Sequence, residues 1–345
     1  MTELSICIPT YNRDGNLINC LNSIYISSLE LDFKFQVCVS DNCSTDNTQE
    51  VVSKAQSLMD IKYHKNSKNL GRVRNYLNVV NMAEGEFIWL IGDDDLLMPD
   101  AIKEINLLIK SHRDVDFFFI NSCSLSDEYL KNYPTPFDTL NLPTNMTPFS
   151  KSKEEGELPF LELIDPDISF DFLGGMFLSV FRKSNWTRNI NVLDKKVIDD
   201  ELSFSHFDNT FPHLKIFSSA FSKSLAYFHP IPMSVNLSGA REWAPMSPLI
   251  NIVRLVEALD EYKKQGLPLK QYLKCKNYVY RTFIPDFLRL IVRKGDSGYH
   301  YIKPYKLFVS SLIFPNTYLS SFYYLAEVVS KRFKMLSNEH LRSRR

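Results

Sequence analysis

Three adjacent carboxylates, Asp93-Asp94-Asp95, follow directly on the apolar run Phe87-Ile88-Trp89-Leu90-Ile91 and Gly92. Like charges side by side repel, so holding them at the end of a buried strand calls for a cation. Hard carboxylate oxygens suit Mg2+ or Mn2+, and a metal held there would in turn hold a diphosphate. A solvated acidic face is the plainer alternative, and the wholly apolar strand in front of the triplet speaks against it. Two further polar clusters close apolar runs: Thr10-Tyr11-Asn12-Arg13 after the first, and Asp41-Asn42 after the second. The chain has no GxGxxG and no P-loop, which argues against a dinucleotide-dependent dehydrogenase and a P-loop kinase.

The elements that must position these clusters alternate. Residues 4–8 form a short apolar strand ended by Pro9, and apolar positions 17, 18, 21, 24 and 25 have helical spacing. Residues 33–39 are β-rich. Asp46 and Gln49 predict a helix start, and Val51, Val52, Ala55, Leu58 and Met59 continue it as a face. A third strand at 61–63, a helix at 73–83, the strand at 87–91, a helix after Pro99 and a strand at 116–120 complete the series. This order predicts an α/β fold with a mostly parallel sheet and helices on both faces. Such sheets bind ligands at the carboxyl ends of their strands, where all three polar clusters fall. Residues 126–156, with Pro134, Pro136, Pro143 and Pro148, are expected to form a long loop, and Met176 to Phe181 a strand opened by Gly174-Gly175. From Ser247 onward the pattern is helical.

Four segments, in order, resemble the nucleotide-binding half of family 2 glycosyltransferases with the GT-A fold. They are Ile8 to Arg13, Val39 to Asp46, Asn69 to Asn75, and Gly85 to Pro99. Gly174-Gly175-Met176 with Phe181-Arg182-Lys183 resembles the family's acceptor-side strand, and after about residue 250 the resemblance ends. It implies an inverting transferase that takes a nucleoside-diphosphate sugar of UDP, GDP or dTDP type with Mn2+ or Mg2+. By the same resemblance, Asp41 meets the nucleobase, Pro9, Thr10, Tyr11 and Arg13 wall the base and phosphates, and Arg72 and Arg74 face the diphosphate or lie on the helix exterior. The family's usual Asp-x-Asp-Asp, aligned on Pro99, places its first Asp on Gly92. Asp94 then becomes the leading metal ligand, and Asp93 and Asp95 are left as ribose, donor-sugar or second metal contacts.

The general base is expected about a hundred residues beyond this motif. Asp208, ahead of a helix, is the leading candidate, with Asp199 and Asp200 as alternatives. Gly175, His213 and His229 are candidates for acceptor or phosphate contacts, as is Arg241. His229 is read as part of a loop closing over the diphosphate. Each has an ordinary structural role as its alternative. Two rival readings remain: a sugar nucleotidyltransferase, which would normally need a Gly-rich basic triphosphate loop near the first strand, and a non-catalytic scaffold of the same fold.

The chain has 345 residues, 44% hydrophobic and 23% charged, with 11 Gly. This composition excludes disorder, collagen-like repeats and a multispanning membrane protein. Residues 1–125 are expected to bind the nucleotide sugar and 126–246 the acceptor, with 247–345 as a basic, aromatic helical region. Residues 251–345 hold 18 Lys and Arg against 7 Asp and Glu, a net of +11, and residues 1–250 hold 22 against 33, a net of −11. Residues 307–329 are long enough to span a bilayer, but Pro315-Asn316-Thr317 breaks them into two shorter helices. Such a tail suits an anionic membrane surface, with helical packing or homo-oligomerisation as the alternative. No nucleic-acid partner is expected. Six scattered cysteines without CxxC spacing, and no signal-peptide pattern at the start, fit a cytoplasmic protein on the inner face of the membrane. The acceptor is expected to be a glycan or lipid-linked glycan of bacterial surface polysaccharide.

Overall fold

The apolar runs become the inner strands. The computed structural model describes residues 2–199, 204–239 and 244–326. Its strands are β1 (Leu4–Thr10), β2 (Gln36–Asp41), β3 (Ile61–Lys65), β4 (Phe87–Leu90), β5 (Asp95–Leu97), β6 (Phe117–Ser126), β7 (Thr147–Pro148), β8 (Gly156–Pro159), β9 (Ser179–Arg182) and β10 (Leu225–Ser238). The sheet order is β3-β2-β1-β4-β9-β6-β10-β5, with β7 on β6 and β8 on β10. β3, β2, β1 and β4 are parallel. β9 enters antiparallel between β4 and β6, so β6 runs the same way as β4, and β10 lies parallel to β6. The carboxyl ends of all these parallel strands therefore share one edge.

Helices α1 (Asp14–Ser28), α2 (Thr48–Gln56), α3 (Arg72–Met82) and α4 (Ala101–Ser111) join the strands of the first half. α1 and α4 bury the faces their spacing predicts, with Leu17, Leu21 and Ile24 on α1 and Ile102, Ile105 and Ile109 on α4, but α2 ends at Gln56 and leaves the expected Leu58 exposed. α5 (Lys183–Asn189), α6 (Lys195–Ile198), α7 (Phe207–Thr210) and α8 (Pro212–Phe221) cap the second half. Trp186 stacks on Phe181, and Phe217 meets the same ring edge-on.

The second half departs from the sequence expectations. Residues 176–178 are a 3-10 turn, and the strand begins at Ser179. The segment read as a loop around His229 lies inside β10. Its register with β6 shifts between His229 and Ser234, where Pro230 and Pro232 have no N–H to give to a ladder. The stretch at 126–156 is drawn back to the body. Phe149 N donates to Ser122 O (2.8 Å). The Phe137 backbone is gripped by Asn19 and Asn22 of α1, at 2.8 and 2.9 Å.

α9 (Ser247–Leu249), a π turn (Ile250–Arg254) and α10 (Leu255–Lys264) run on as one helix, followed by α11 (Leu269–Val279), α12 (Phe283–Val292) and α13 (Pro304–Ser311). Leu249, Leu259, Tyr262 and Phe283 are buried in the same core as the sheet. No helix among the described residues is long and apolar enough to cross a membrane, and the helix breaks after Ser311, ahead of Pro315. None of the six cysteines is in a disulfide.

Candidate active site

The turn after β4 is closed by its own last residue. Asp95 Oδ2 accepts from Gly92 N (2.7 Å), and Asp95 Oδ1 accepts from Asn236 Nδ2 on β10 (2.7 Å). A Cβ at residue 92 would lie 2.6 Å from Asp94 Oδ1 and 3.1 Å from Asp95 Oδ2. A side chain at residue 92, where the family's motif has its first Asp, would have to push the Asp94 carboxylate aside. Asp95, expected as a metal or sugar ligand, has both oxygens taken up in bracing the turn.

Asp93 is buried behind the edge and accepts from Thr10 Oγ1 (2.8 Å) and Arg13 Nη1 (3.0 Å). Burial pushes its pKa up to about 6, against the pull of Arg13 and with the push of Asp94. The same Arg13 Nη1 lies 3.3 Å from Asp94 Oδ2. Two carboxylate oxygens from successive residues thus converge on one positive nitrogen. That donor set fits Mg2+ or Mn2+, which commonly bind one or two carboxylates and complete their shell with substrate phosphates and water. Among the described residues no three Asp, Glu, His or Cys side chains gather as a metal site; the ligands this turn offers are Asp93 and Asp94.

The loops after β1 and β2 are stitched together. Asn12, in the left-handed region at φ 51°, accepts from Thr45 N at Oδ1 (2.8 Å), and its own N–H donates to Ser44 Oγ (2.9 Å). Asp41 is fully buried. Its Oδ1 accepts from Ser44 N and its Oδ2 from Tyr63 OH, both at 2.7 Å. Asp41 therefore shapes the loop floor directly, and its expected nucleobase contact is not open in this arrangement. Pro9 is buried inside β1, paired with Ser40, so it stands behind the wall it was expected to form. Tyr11 is exposed at the lip. Asn75, not singled out from the sequence, ties the strand ends together by donating to Ser40 O (2.9 Å) and Thr10 O (3.3 Å). A buried Asn on an otherwise apolar helix face was the signal for it.

Gly71, at φ +82°, lets the chain turn into α3. The arginines that follow reach across to the second half of the chain. Arg72 Nη2 donates to Asn209 O (2.6 Å), and its guanidinium covers the Phe204 ring at 4.4 Å. Arg74 Nε donates to Asp199 Oδ1 (2.6 Å). Asp208 has both oxygens engaged: Lys215 Nζ lies 2.8 and 2.7 Å from them, and Asp194 N donates to Oδ2 at 2.7 Å. Through Asp194, which caps α6, Asp208 sets where Asp199 hangs. Asp200 and Arg241 lie outside the described residues.

Burial holds His213 down to about 4 and so neutral, with Nε2 3.1 Å from Gly174 O. It has no charge to offer a phosphate near neutral pH. Gly175 N donates to Asp171 Oδ2 (2.9 Å), and a Cβ at this position would meet the Phe177 ring at 2.9 Å. His229 is buried in β10 with Nδ1 2.8 Å from Glu155 Oε1, which corrects its expected place on a closing loop. Arg254 was also missed. Buried in the π turn, it donates from Nη2 to Phe204 O (3.0 Å) and Ser205 O (2.6 Å), and from Nη1 to Glu257 (2.7 Å). The C-terminal helices thereby hold the loop that leads into α7.

Residues 5–161 match the family described as Glycosyl transferase family 2. The Abequosyltransferase RfbV of Salmonella typhimurium is 38% identical over 114 residues, which cover 32% of this chain and 34% of that protein. The GalNAc(5)-diNAcBac-PP-undecaprenol beta-1,3-glucosyltransferase of Campylobacter jejuni is 30% identical over 187 residues, 53% of each protein. The match thus spans between a third and about half the length of these two relatives. Among solved structures, the mannosyltransferase PcManGT of Pyrobaculum calidifontis, in complex with GDP-Man and Mn2+, superposes with a TM-score of 0.53 at 14% identity, covering 97% of this chain and 83% of that one. That likeness establishes a shared fold.

Proposed function

From the premise that residues 5–161 are a glycosyl transferase family 2 domain, we propose that the chain moves a sugar from a nucleoside diphosphate onto a hydroxyl of a glycan or lipid-linked glycan, with inversion. The observation that carries this reading is the convergence of Asp93 and Asp94 on one cation at the carboxyl edge of the parallel strands. A PP-undecaprenol acceptor appears in the name of one relative, and a neighbour of the same fold is a complex with GDP-Man and Mn2+. Both accord with a UDP, GDP or dTDP sugar as donor and a bacterial surface glycan as product.

Asp93 and Asp94 would hold the metal, which when bound would supply positive charge against the departing diphosphate. Thr10 fixes the Asp93 carboxylate, and Tyr11 flanks the base at the lip. The general base belongs to the Asp199–Asp200 pair: Asp208 is buried between Lys215 and Asp194, whereas Asp199, though paired with Arg74, keeps its side chain 54% exposed. It takes the acceptor hydroxyl proton as that oxygen attacks the anomeric carbon opposite the leaving diphosphate. Release of nucleoside diphosphate from a panel of nucleotide sugars, with and without Mn2+, tests the reading. Metal-dependent release from one donor is expected, and no binding or release with any donor overturns it.

The chain works at the inner face of the membrane. Its +11 tail exposes Tyr305, Ile313 and Phe322 at 80%, 77% and 70% beside Lys303 and Lys306. Lys303→Ala with Lys306→Ala should weaken flotation on anionic vesicles at ~1 kcal/mol per lysine. Equal flotation by wild type and double variant, at low and high salt alike, removes this placement.

A further inference from the structure

Arg13 is placed unlike the other arginines around the cleft. Arg72, Arg74 and Arg254 are committed to backbone carbonyls or an ion pair across the acceptor side. Arg13 uses a single nitrogen, Nη1, to bridge Asp93 Oδ1 and Asp94 Oδ2 at 3.0 and 3.3 Å, and its side chain remains 34% exposed. Its remaining guanidinium N–H groups have no other partner among the described residues. The Arg13 backbone is fixed, since its carbonyl accepts from Asn16 N (3.0 Å) and Leu17 N (2.9 Å) at the start of α1. Any movement of this charge is therefore a movement of the side chain alone.

We propose that Arg13 and the divalent metal compete for the same two carboxylate oxygens, and that the guanidinium displaced by the metal turns onto the incoming diphosphate. This rests on the nucleotide-sugar reading above. Two positive groups cannot share Asp93 Oδ1 and Asp94 Oδ2 without strong repulsion. A metal arriving alone must displace Arg13 and leave it without an anion. A metal arriving with a nucleoside diphosphate brings the replacement, since phosphate oxygens accept the planar fork of a guanidinium well. The consequence is coupling: metal alone binds weakly, nucleotide alone binds weakly, and the two together bind tightly. Until then Arg13 offsets the repulsion within the acidic turn.

The test is a pair of titrations on the full chain, Mn2+ alone followed by electron paramagnetic resonance of the free ion, and UDP, GDP or dTDP in saturating Mn2+ followed by calorimetry. Arg13→Gln should bind Mn2+ alone ~10-fold more tightly than wild type and the nucleoside diphosphate ~10-fold more weakly, an ordinary range for coupling between sites. Arg13→Lys, which keeps the charge, should stay near wild type for Mn2+ alone. Arg13→Gln with a native unfolding midpoint and unchanged or weaker Mn2+ affinity overturns the competition. Failure of wild type to bind any nucleoside diphosphate overturns instead the reading on which it rests.

Discussion

The carboxyl edge of the parallel strands, proposed above as the donor edge, and the cap of short helices proposed to lie on the acceptor side are built by different means. At the donor edge, the loops after β1, β2 and β4 are short and are stitched to one another by side chains on or beside the loops: Asn12 to Ser44 and Thr45, Thr10 to Asp93, Asn75 to Ser40. The acceptor-side cap consists of short helices, α6 and α7, whose positions come from arginines on distant elements. Arg72 and Arg74 reach it from α3, and Arg254 reaches it from the C-terminal helices. The donor edge takes its geometry largely from its own loops, with one distant brace from Asn236 to Asp95, and the cap borrows its geometry. Substitutions at the edge should therefore alter ligand binding with little change in stability, and substitutions in the cap should alter both.

The largest effect expected is at the base. One of Asp199→Asn and Asp200→Asn should lower transfer to a glycan acceptor by ~10²–10⁴-fold with donor affinity unchanged. Asp208→Asn should lower the unfolding midpoint, because it loosens the Lys215 pair and the Asp194 contact. An Asp208→Asn variant that keeps its midpoint and loses transfer, beside two active neighbours, would return the base to Asp208 and weaken the contrast. At the donor edge, Asp94→Asn should cost ~100-fold in Mn2+-dependent nucleotide affinity while leaving the midpoint near wild type. Unchanged affinity by calorimetry rules out Asp94 as a ligand.

Arg254→Met removes donors from two backbone carbonyls, so a loss of ~1–3 kcal/mol in stability is expected, with transfer falling more than donor affinity. Equal losses in both would mean the C-terminal helices do not act selectively on the cap. The smallest effect concerns His213. Its folded pKa, about 4, lies below the ordinary 6.5. The unfolded chain therefore binds the extra proton between these values, and stability falls as pH drops from 6.5 toward 4, by at most ~1.4 kcal/mol per unit. His213→Phe should flatten urea-unfolding stability across that window, and an identical slope in both proteins would show that His213 does not set it.

The cysteines, the buried helix faces, the inner strands and the three polar clusters at their ends were legible in the sequence. Each depends on neighbours within one element: an apolar run, a helical spacing, a turn residue next to a strand. The same local logic placed Asp93 and Asp94 at the edge, and the family resemblance marked Gly92 as a departure; that a side chain there would crowd Asp94 and Asp95 needed the folded turn. What the sequence could not give was pairing at a distance. Arg72 meets Asn209 across 137 residues, Arg74 meets Asp199 across 125, and Asp95 meets Asn236 across 141. Whether an arginine faces a phosphate or a carbonyl, and whether an aspartate is open or closed, depends on which side chain the fold brings opposite. β10 escaped notice for a related reason: Pro230 and Pro232 mark a loop by local rules, and only pairing with β6, β8 and β5 makes that stretch a strand. The sequence by itself determined the chemistry available at the edge, because motif and strand are contiguous. The tertiary structure alone decided which charges are spent on holding the molecule together and which remain for a ligand, because a charge is committed only by the partner folded against it.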